Sequence, residues 1–265
     1  MFTNNSKILM KYIDNMINPN KKSRSKKKSR SKKKSRSKKQ IKIHKEYREL
    51  YNFFRSINTD YKITGNSTSI INETSSFKVD SPFISENISQ EIKSMERKET
   101  ITLKTNKSNV NINIFYQDED LTKFKKIIFY SIAFIFNLSY HSVLDCVINY
   151  YLSDKKKNME CNKDYSVHEF SHNEVNSGSC NGMTNTVNIW RKEEILKVTL
   201  HECIHLLEYD NYEEDYLLKE LYKKKYNISS ETMNIFEAYT EVWSELINCF
   251  LVNRLMQGNQ QTFTK

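Results

Sequence analysis

The strongest chemical signal in this sequence is a pair of histidines four residues apart, with a glutamate directly after the first. His201, Glu202 and His205 form an HExxH motif. Because residues i and i+4 of a helix lie on one face, the two imidazoles can bind one metal ion. Zinc lowers the pKa of a bound water to about 7, and a nearby carboxylate can then take its proton. The motif therefore predicts one zinc ion per chain, with the histidines as ligands and Glu202 as the general base.

A catalytic zinc ion needs a third protein ligand and an open position for water. Glu237, Glu241 and Glu245 recur every four residues in a later run that is rich in large apolar side chains. We predict that Glu237 is the third ligand. One helical turn on, Glu241 is expected to accept an N–H from His201 or His205. The alternative is that these glutamates form a solvent-exposed acidic stripe.

Three other sets of residues compete for a metal ion. A second HExxH motif spans residues 168–172, but its surroundings lack helical apolar periodicity, which favours two loop histidines. Glu208 follows His205 by three residues, yet three ligands on one straight helix fit poorly around a tetrahedral ion. A structural Cys2His2 site, with an unusual spacing between its pairs, would use Cys161, His168, His172 and Cys180.

Two predicted helices place the metal ligands. Residues 192–209 carry a broad apolar face around the HExxH motif, and residues 230–256 repeat large apolar side chains at helical spacing around Glu237. Ser230 can cap the later helix. Further helices are expected over residues 44–57, 120–137 and 213–225.

Strand patterns precede the metal-binding helices. Residues 99–105 and 109–116 alternate apolar and polar side chains on either side of a short polar turn, which predicts a hairpin. Further strands are expected over residues 143–152, 174–178 and 186–190. The order of elements predicts an α+β fold, in which a small mixed or antiparallel sheet packs on a helical core. That core contains the HExxH helix and the later helix that bears Glu237.

The sequence HECIH, followed by a helix that carries FEAYTE, resembles the gluzincin group of zinc metallopeptidases, which are similar to thermolysin. The resemblance covers residues 174–250 and implies a zincin core, with HExxH on one helix and a glutamate ligand on a later one. Glu237 and Ala238 match the family's Glu-Ala pair, and Glu241 matches its acidic residue four positions on. The stretch from residue 175 to residue 205 also resembles uncharacterised proteases of large DNA viruses.

The resemblance also has implications for substrate binding. In gluzincins an edge strand before the HExxH helix pairs with the substrate backbone, and Asn176, Ser177 and Gly178 stand at the corresponding place. No aminopeptidase GAMEN motif is present in the sequence, which favours an endopeptidase. The family's oxyanion-stabilising tyrosine or histidine is not singled out here. The tyrosines that could serve are Tyr209, Tyr212, Tyr226 and Tyr239.

The charge of the chain is concentrated in one segment. Residues 21–39 contain thirteen Lys and Arg and no acid, and include three KSRSKK hexads. The net charge of the whole chain is +10, so the remaining residues together have a net charge of −3. Self-repulsion and the lack of apolar residues predict disorder here. Such a tract suits nucleic acid or another polyanion, or nuclear targeting; a merely solubilising tail is the alternative. The expected organisation is an N-terminal segment, the basic repeats, a partly helical leader with a Ser/Thr/Asn-rich linker, and a metallopeptidase domain, over residues 1–20, 21–39, 40–94 and 95–265.

Cysteine usage and hydropathy indicate an intracellular protein. The five cysteines include no CxxC pair and no apolar signal segment opens the chain, so we expect reduced thiols. The longest apolar stretch, residues 127–138, is shorter than the roughly 20 residues that span a bilayer and predicts a buried helix. The whole pattern predicts zinc-dependent hydrolysis of peptide bonds. The rival hypothesis is a catalytically inactive zincin-like binding protein that the basic tract tethers to nucleic acid.

Overall fold

A computed structural model describes residues 45–71, 84–139, 145–157, 176–210, 216–230 and 236–258. Within these ranges the fold is α+β, as predicted, and contains a six-stranded mixed sheet. The basic tract, the second HExxH motif and Cys161 lie outside the described residues.

The sheet has the strand order β1-β2-β3-β4-β6-β5. Strands β1 to β3 are antiparallel neighbours, β4 is parallel to β3 and to β6, and β5 closes the far edge antiparallel to β6. The strands are β1 Lys62–Ile70, β2 Arg97–Lys104, β3 Asn109–Tyr116, β4 Cys146–Tyr151, β5 Gly178–Asn181 and β6 Thr186–Ile189. Apolar side chains alternate with polar ones along β2, β3, β4 and β6, so one face of the sheet is buried against helices.

Among the described residues, the helices lie where the sequence predicted them, except for the helix Glu86–Lys93, which was not predicted. They are α1 Lys45–Ser56, α2 Glu86–Lys93, α3 Thr122–Leu138, α4 Ile195–Leu206, α5 Tyr216–Tyr226 and α6 Phe236–Leu255. A short 3-10 turn, Lys192–Glu194, leads into α4. Helix α3 is apolar around most of its circumference and is buried, as predicted, because such a helix has no face suited to water. No helix in the described part of the chain is both long and apolar enough to cross a membrane.

The hydrophobic core joins the sheet to helices from both ends of the chain. Helix α4 lies at its centre, in contact with α3, α6, β5 and β6. Phe54 of α1, Phe134 of α3 and Phe250 of α6 form a cluster with ring centroids 5.3 to 5.8 Å apart. Such aromatic contacts contribute beyond the area that they bury. The core therefore fixes α4 from several sides and holds the HExxH motif in place.

Two sequence predictions are corrected by these elements. The predicted linker contains strand β1 and helix α2, and Phe54 shows that α1 packs into the same core as the later helices. Of the strand expected over residues 174–178, residues 174 and 175 lie outside the described ranges, and β5 begins at Gly178. Before it, the Asn176 carbonyl accepts hydrogen bonds from the side chains of Trp190 and Arg191, so this residue is held by side-chain contacts before the regular ladder starts.

Candidate metal centre

Helix α4 brings the two motif histidines together on one side. Val198, Leu200 and Ile204 are buried in the core, while His201 and His205 remain partly accessible on successive turns. The imidazole centroids are 5.0 Å apart, and the two Nε2 atoms are 3.3 Å apart. The i, i+4 spacing therefore does what the motif predicted: both rings direct the same nitrogen toward one point.

Glu237, on the first turn of α6, completes a donor triangle whose corners are the side chains of His201, His205 and Glu237. Its Oε1 lies 2.9 Å from Nε2 of His201, and its Oε2 lies 3.4 Å from Nε2 of His205. In a tetrahedral site with zinc–ligand distances of about 2.0–2.1 Å, neighbouring donor atoms are about 3.3 Å apart. The three observed separations bracket that value, so the predicted ligands fit a zinc ion. The same three residues are the group that offers ligand atoms within 4.8 Å of one another in the described part of the chain.

Each histidine contacts a carboxylate through its other ring nitrogen. Nδ1 of His201 lies 3.2 Å from Oε2 of Glu241, and Nδ1 of His205 lies 2.5 Å from Oδ2 of Asp210. An imidazole that donates its Nδ1–H to a carboxylate presents the lone pair of Nε2 to a metal. Glu241 thus occupies the supporting position predicted for it and serves His201. Asp210 was not predicted.

The charges around the two rings favour a cation between them. Hydrogen bonds from His201 and then from His205 hold the pKa of Glu237 well below its usual range. Burial lowers the pKa of His205, but the carboxylates of Glu237 and Asp210 outweigh burial and raise that pKa to about 9. The protein therefore concentrates carboxylates around two imidazoles that face each other, which is the charge distribution of a site for a positive ion.

Glu202 lies beside the ligand triangle and is 8% exposed. Burial raises the pKa of its carboxyl group to about 7, although the nearby His201 and His205 oppose the increase. A carboxylate with a pKa near neutrality is suited to take a proton from water and to return it in a later step. The position and burial of Glu202 are consistent with its predicted role as the general base.

Strand β5 lies so close to α4 at Gly178 that a side chain at this position would collide with the helix. A Cβ atom at Gly178 would lie 2.6 Å from Oε1 of Glu202 and 2.6 Å from Cγ1 of Val198. Glycine is therefore required where the strand crosses the helix. The contact makes the main chain of β5 one wall of the space around the Glu202 carboxylate.

The main-chain pattern of β5 leaves one edge, called the open edge, without a ladder partner among the described residues. The amide of Trp190 donates to the carbonyl of Ser177 at 3.0 Å, and Gly178 is paired with Ile189. In an antiparallel ladder, hydrogen-bonded pairs alternate with pairs that are not bonded to each other. The amide and carbonyl of Gly178 and Cys180 therefore point away from β6. In the described part of the chain, β5 has a ladder partner only on the β6 side.

The three predicted substrate-binding residues thus differ in their surroundings. Gly178 offers main-chain groups at the open edge next to Glu202. Ser177 has its hydroxyl bonded to Glu194 at the entry to α4, and the Asn176 carbonyl is held as described above. Ser177 and Asn176 therefore fix the start of β5 against its neighbours, and the open edge begins at Gly178.

The structure does not single out an oxyanion donor among the predicted tyrosines. The hydroxyl of Tyr209 donates to the carbonyl of Ile135 at 3.5 Å. Tyr226 lies on α5 and packs against Tyr222 with the rings tilted, and Tyr239 packs against Trp243. Tyr212 is outside the described residues.

Two supporting residues have no clear signal in the sequence. Nζ of Lys197 lies 2.6 Å from the same Glu241 oxygen that contacts His201, and it holds that carboxylate in place. Asp210 reaches His205 only because Glu208 adopts a left-handed conformation, with φ of 55°, at the end of α4. Glycine is the residue expected at such a turn, so a glutamate gives no warning that the helix ends there. Glu208 itself is exposed, which agrees with its rejection as a ligand.

Comparisons of the chain with protein-family models, with curated proteins and with solved structures found no match. The function therefore has to be argued from the geometry of the site. The gluzincin resemblance remains a hypothesis that depends on the residues quoted for it.

A substitution of Gly178 tests the contact between β5 and α4. We expect Gly178→Ala to lower the free energy of unfolding by about 1–3 kcal/mol, because overpacking at this crossing displaces Val198 and Glu202. Urea denaturation of the purified protein measures the change. Gly182→Ala is the matched control, since no atom lies within 4 Å of a Cβ there. Equal destabilisation by both substitutions would contradict the close approach at Gly178.

Proposed function

We propose that this protein is a zinc-dependent endopeptidase of the gluzincin type. The observation that carries the proposal is the convergence of His201, His205 and Glu237. The two Nε2 atoms lie 3.3 Å apart, Oε1 of Glu237 lies 2.9 Å from the first and Oε2 lies 3.4 Å from the second. The carboxylate contacts at both Nδ1 atoms support it, because metal-binding histidines are commonly held in this way. A zinc ion in this site supplies Lewis acidity, which polarises the scissile carbonyl and makes water more acidic.

The chain's own residues supply the proton transfers. Glu202 takes a proton from the attacking water at its carboxylate and then delivers it to the leaving amine nitrogen. Its burial against Gly178 keeps the carboxylate away from bulk water and gives it a pKa near neutrality. Proton uptake and release therefore take place on one side chain, next to the metal ligands.

The open edge of β5 supports cleavage within an extended chain. A substrate segment that pairs with the main chain of Gly178 and Cys180 lies alongside Glu202 and the ligand triangle. Main-chain pairing gives affinity without demanding particular side chains, so a peptide can extend in both directions from the scissile bond. We infer that the substrate is an extended or unfolded polypeptide segment.

A cleavage assay with metal removal tests the proposal. The purified full-length chain, loaded with zinc, should cleave an unfolded protein or a peptide library. A zinc chelator should abolish cleavage, and added zinc should restore it, because the Lewis acid leaves and returns. Mass spectrometry of the products would locate the cleaved bonds within the chains. Cleavage that persists after zinc removal, or a wild-type protein that binds no zinc, would refute the proposal. Zinc binding without cleavage of any substrate would favour the inactive binding protein instead.

A further inference from the structure

Asp210 and Thr240 form a support for His205 that lies outside the HExxH motif and the glutamate helix pattern. Oδ2 of Asp210 lies 2.5 Å from Nδ1 of His205 and accepts a second hydrogen bond, at 3.3 Å, from the hydroxyl of Thr240. Thr240 is fully buried, and 14% of the Asp210 side chain is exposed. A hydrogen bond between partly buried groups is stronger than the same bond in water, which makes this pair effective at fixing a ring.

The chain reaches this geometry through the turn that ends α4. The amide of Glu208 donates to the carbonyl of His205 at 3.0 Å, and the amide of Tyr209 donates to the carbonyl of Ile204 at 3.1 Å. With Glu208 in the left-handed conformation, the backbone reverses directly after the helix. Asp210 is thereby placed beside the last turn of α4, where it meets the ring nitrogen of His205 that faces away from Glu237.

Helix α6 supports both histidines within little more than one turn. Glu237 contacts both Nε2 atoms, Glu241 contacts Nδ1 of His201, and Thr240 holds the aspartate that contacts Nδ1 of His205. The two supporting carboxylates come from different segments, but both depend on α6. The position of α6 therefore sets the orientation of both rings as well as that of the third ligand.

We propose that Asp210, anchored by Thr240, is a positioning residue that keeps the proton of His205 on Nδ1 and directs its Nε2 lone pair toward His201 and Glu237. This inference rests on the proposed zinc site. Asp210 does not touch the ion or the substrate; it acts through His205. Loss of such a supporting group lowers metal affinity by about 10–100-fold in other zinc sites.

The first test is a pair of measurements on Asp210→Ala in the full-length protein. Competition with a chromophoric chelator should show zinc affinity about 10–100-fold below that of the wild type. In the metal-free protein at a pH above 9, where His205 is neutral, nitrogen-15 NMR of the imidazoles should show its single proton on Nδ1 in the wild type. In Asp210→Ala the same ring should become a mixture of the two tautomers. A merely structural role for Asp210 would leave the tautomer unchanged.

Matched variants separate positioning from general damage to the turn. Asp210→Asn keeps an oxygen acceptor, so it should preserve the Nδ1–H tautomer and recover part of the lost affinity. Thr240→Ser keeps the hydroxyl and should bind zinc as the wild type does, whereas Thr240→Val should bind it more weakly. Glu220→Ala removes an exposed charge on α5 and should leave zinc affinity within about twofold, as surface substitutions do.

The outcomes distinguish this inference from the proposed function. Wild-type zinc affinity in Asp210→Ala, together with an unchanged His205 tautomer, would overturn the role of Asp210 and leave the zinc site intact. A wild-type protein that binds no zinc would refute the proposed function. In that case the tautomers of the metal-free wild type and of Asp210→Ala would still decide whether Asp210 orients His205.

Discussion

Glu202→Gln is expected to retain zinc and the native fold but to hydrolyse peptides about 10²–10⁴-fold more slowly, which is the usual loss when a general base is removed. Glutamine has nearly the same shape as glutamate, so it can occupy the buried space beside Gly178. Its amide has no basicity and cannot take a proton from water. The change is measured as kcat/KM on a peptide identified in the cleavage assay, together with the zinc content of each protein.

Glu245→Gln is the matched control for this experiment. Glu245 is an exposed carboxylate on α6, one turn beyond Glu241, and the same substitution there should leave turnover unchanged. Equal turnover by the wild type and Glu202→Gln would rule out Glu202 as the base. Loss of zinc from Glu202→Gln would assign this carboxylate a role in holding the metal centre instead.

The elements with a strong apolar period were predictable from sequence. The hairpin of β2 and β3 alternates apolar and polar residues, and the alternation selects the buried Ile101, Leu103, Val110, Ile112 and Ile114. Helix α4 was predicted because its apolar residues recur at helical spacing on the side that contacts the core. In these segments most positions are either large and apolar or clearly polar. The apolar pattern in the sequence therefore agrees with the burial seen in the structure.

Strand β1 shows why other elements were missed. Its nine residues are all exposed and are mostly Ser, Thr, Asn and Gly, so the sequence has no apolar alternation to detect. It is a strand because its main chain pairs with β2, and main-chain hydrogen bonds do not depend on side-chain type. The start of strand β5 was not predicted correctly for a related reason. It is short and lies at an edge, and it is positioned by a glycine crossing over α4.

The residues of the metal site also differ in whether the sequence could predict them. Spacing along one helix predicted each pair of residues, His201 with His205 on α4 and Glu237 with Glu241 on α6. The structure brings the two pairs together. Asp210, Thr240 and Lys197 depend on how separate segments meet, and in the case of Asp210 on a left-handed turn without glycine. The spacing of residues within a helix can be read from the sequence. The distance between a helix and the loop that follows it depends on the packing of the whole core.

His201→Ala is expected to lose zinc, with an affinity reduced by more than about 100-fold, because loss of a donor atom exceeds the loss that supporting residues give. His205→Ala and Glu237→Ala should behave in the same way, since each removes one corner of the donor triangle. Glu241→Ala should fall between these variants and the wild type, at about 10–100-fold, because it removes only the acceptor for His201. Metal analysis of the purified proteins and competition with a chelator measure this order.

The second HExxH motif supplies the control for this series. His168→Ala removes a histidine of the same sequence pattern and should keep about one zinc ion per chain, because His201, His205 and Glu237 already offer three protein ligands. A protein that loses zinc with His168→Ala and keeps it with His201→Ala would transfer the metal site to residues 168–172. The expected ranking links affinity to geometry. Substitution of His201, His205 or Glu237 should abolish zinc binding, and substitution of Glu241 should weaken it. Substitution of His168 should have no effect.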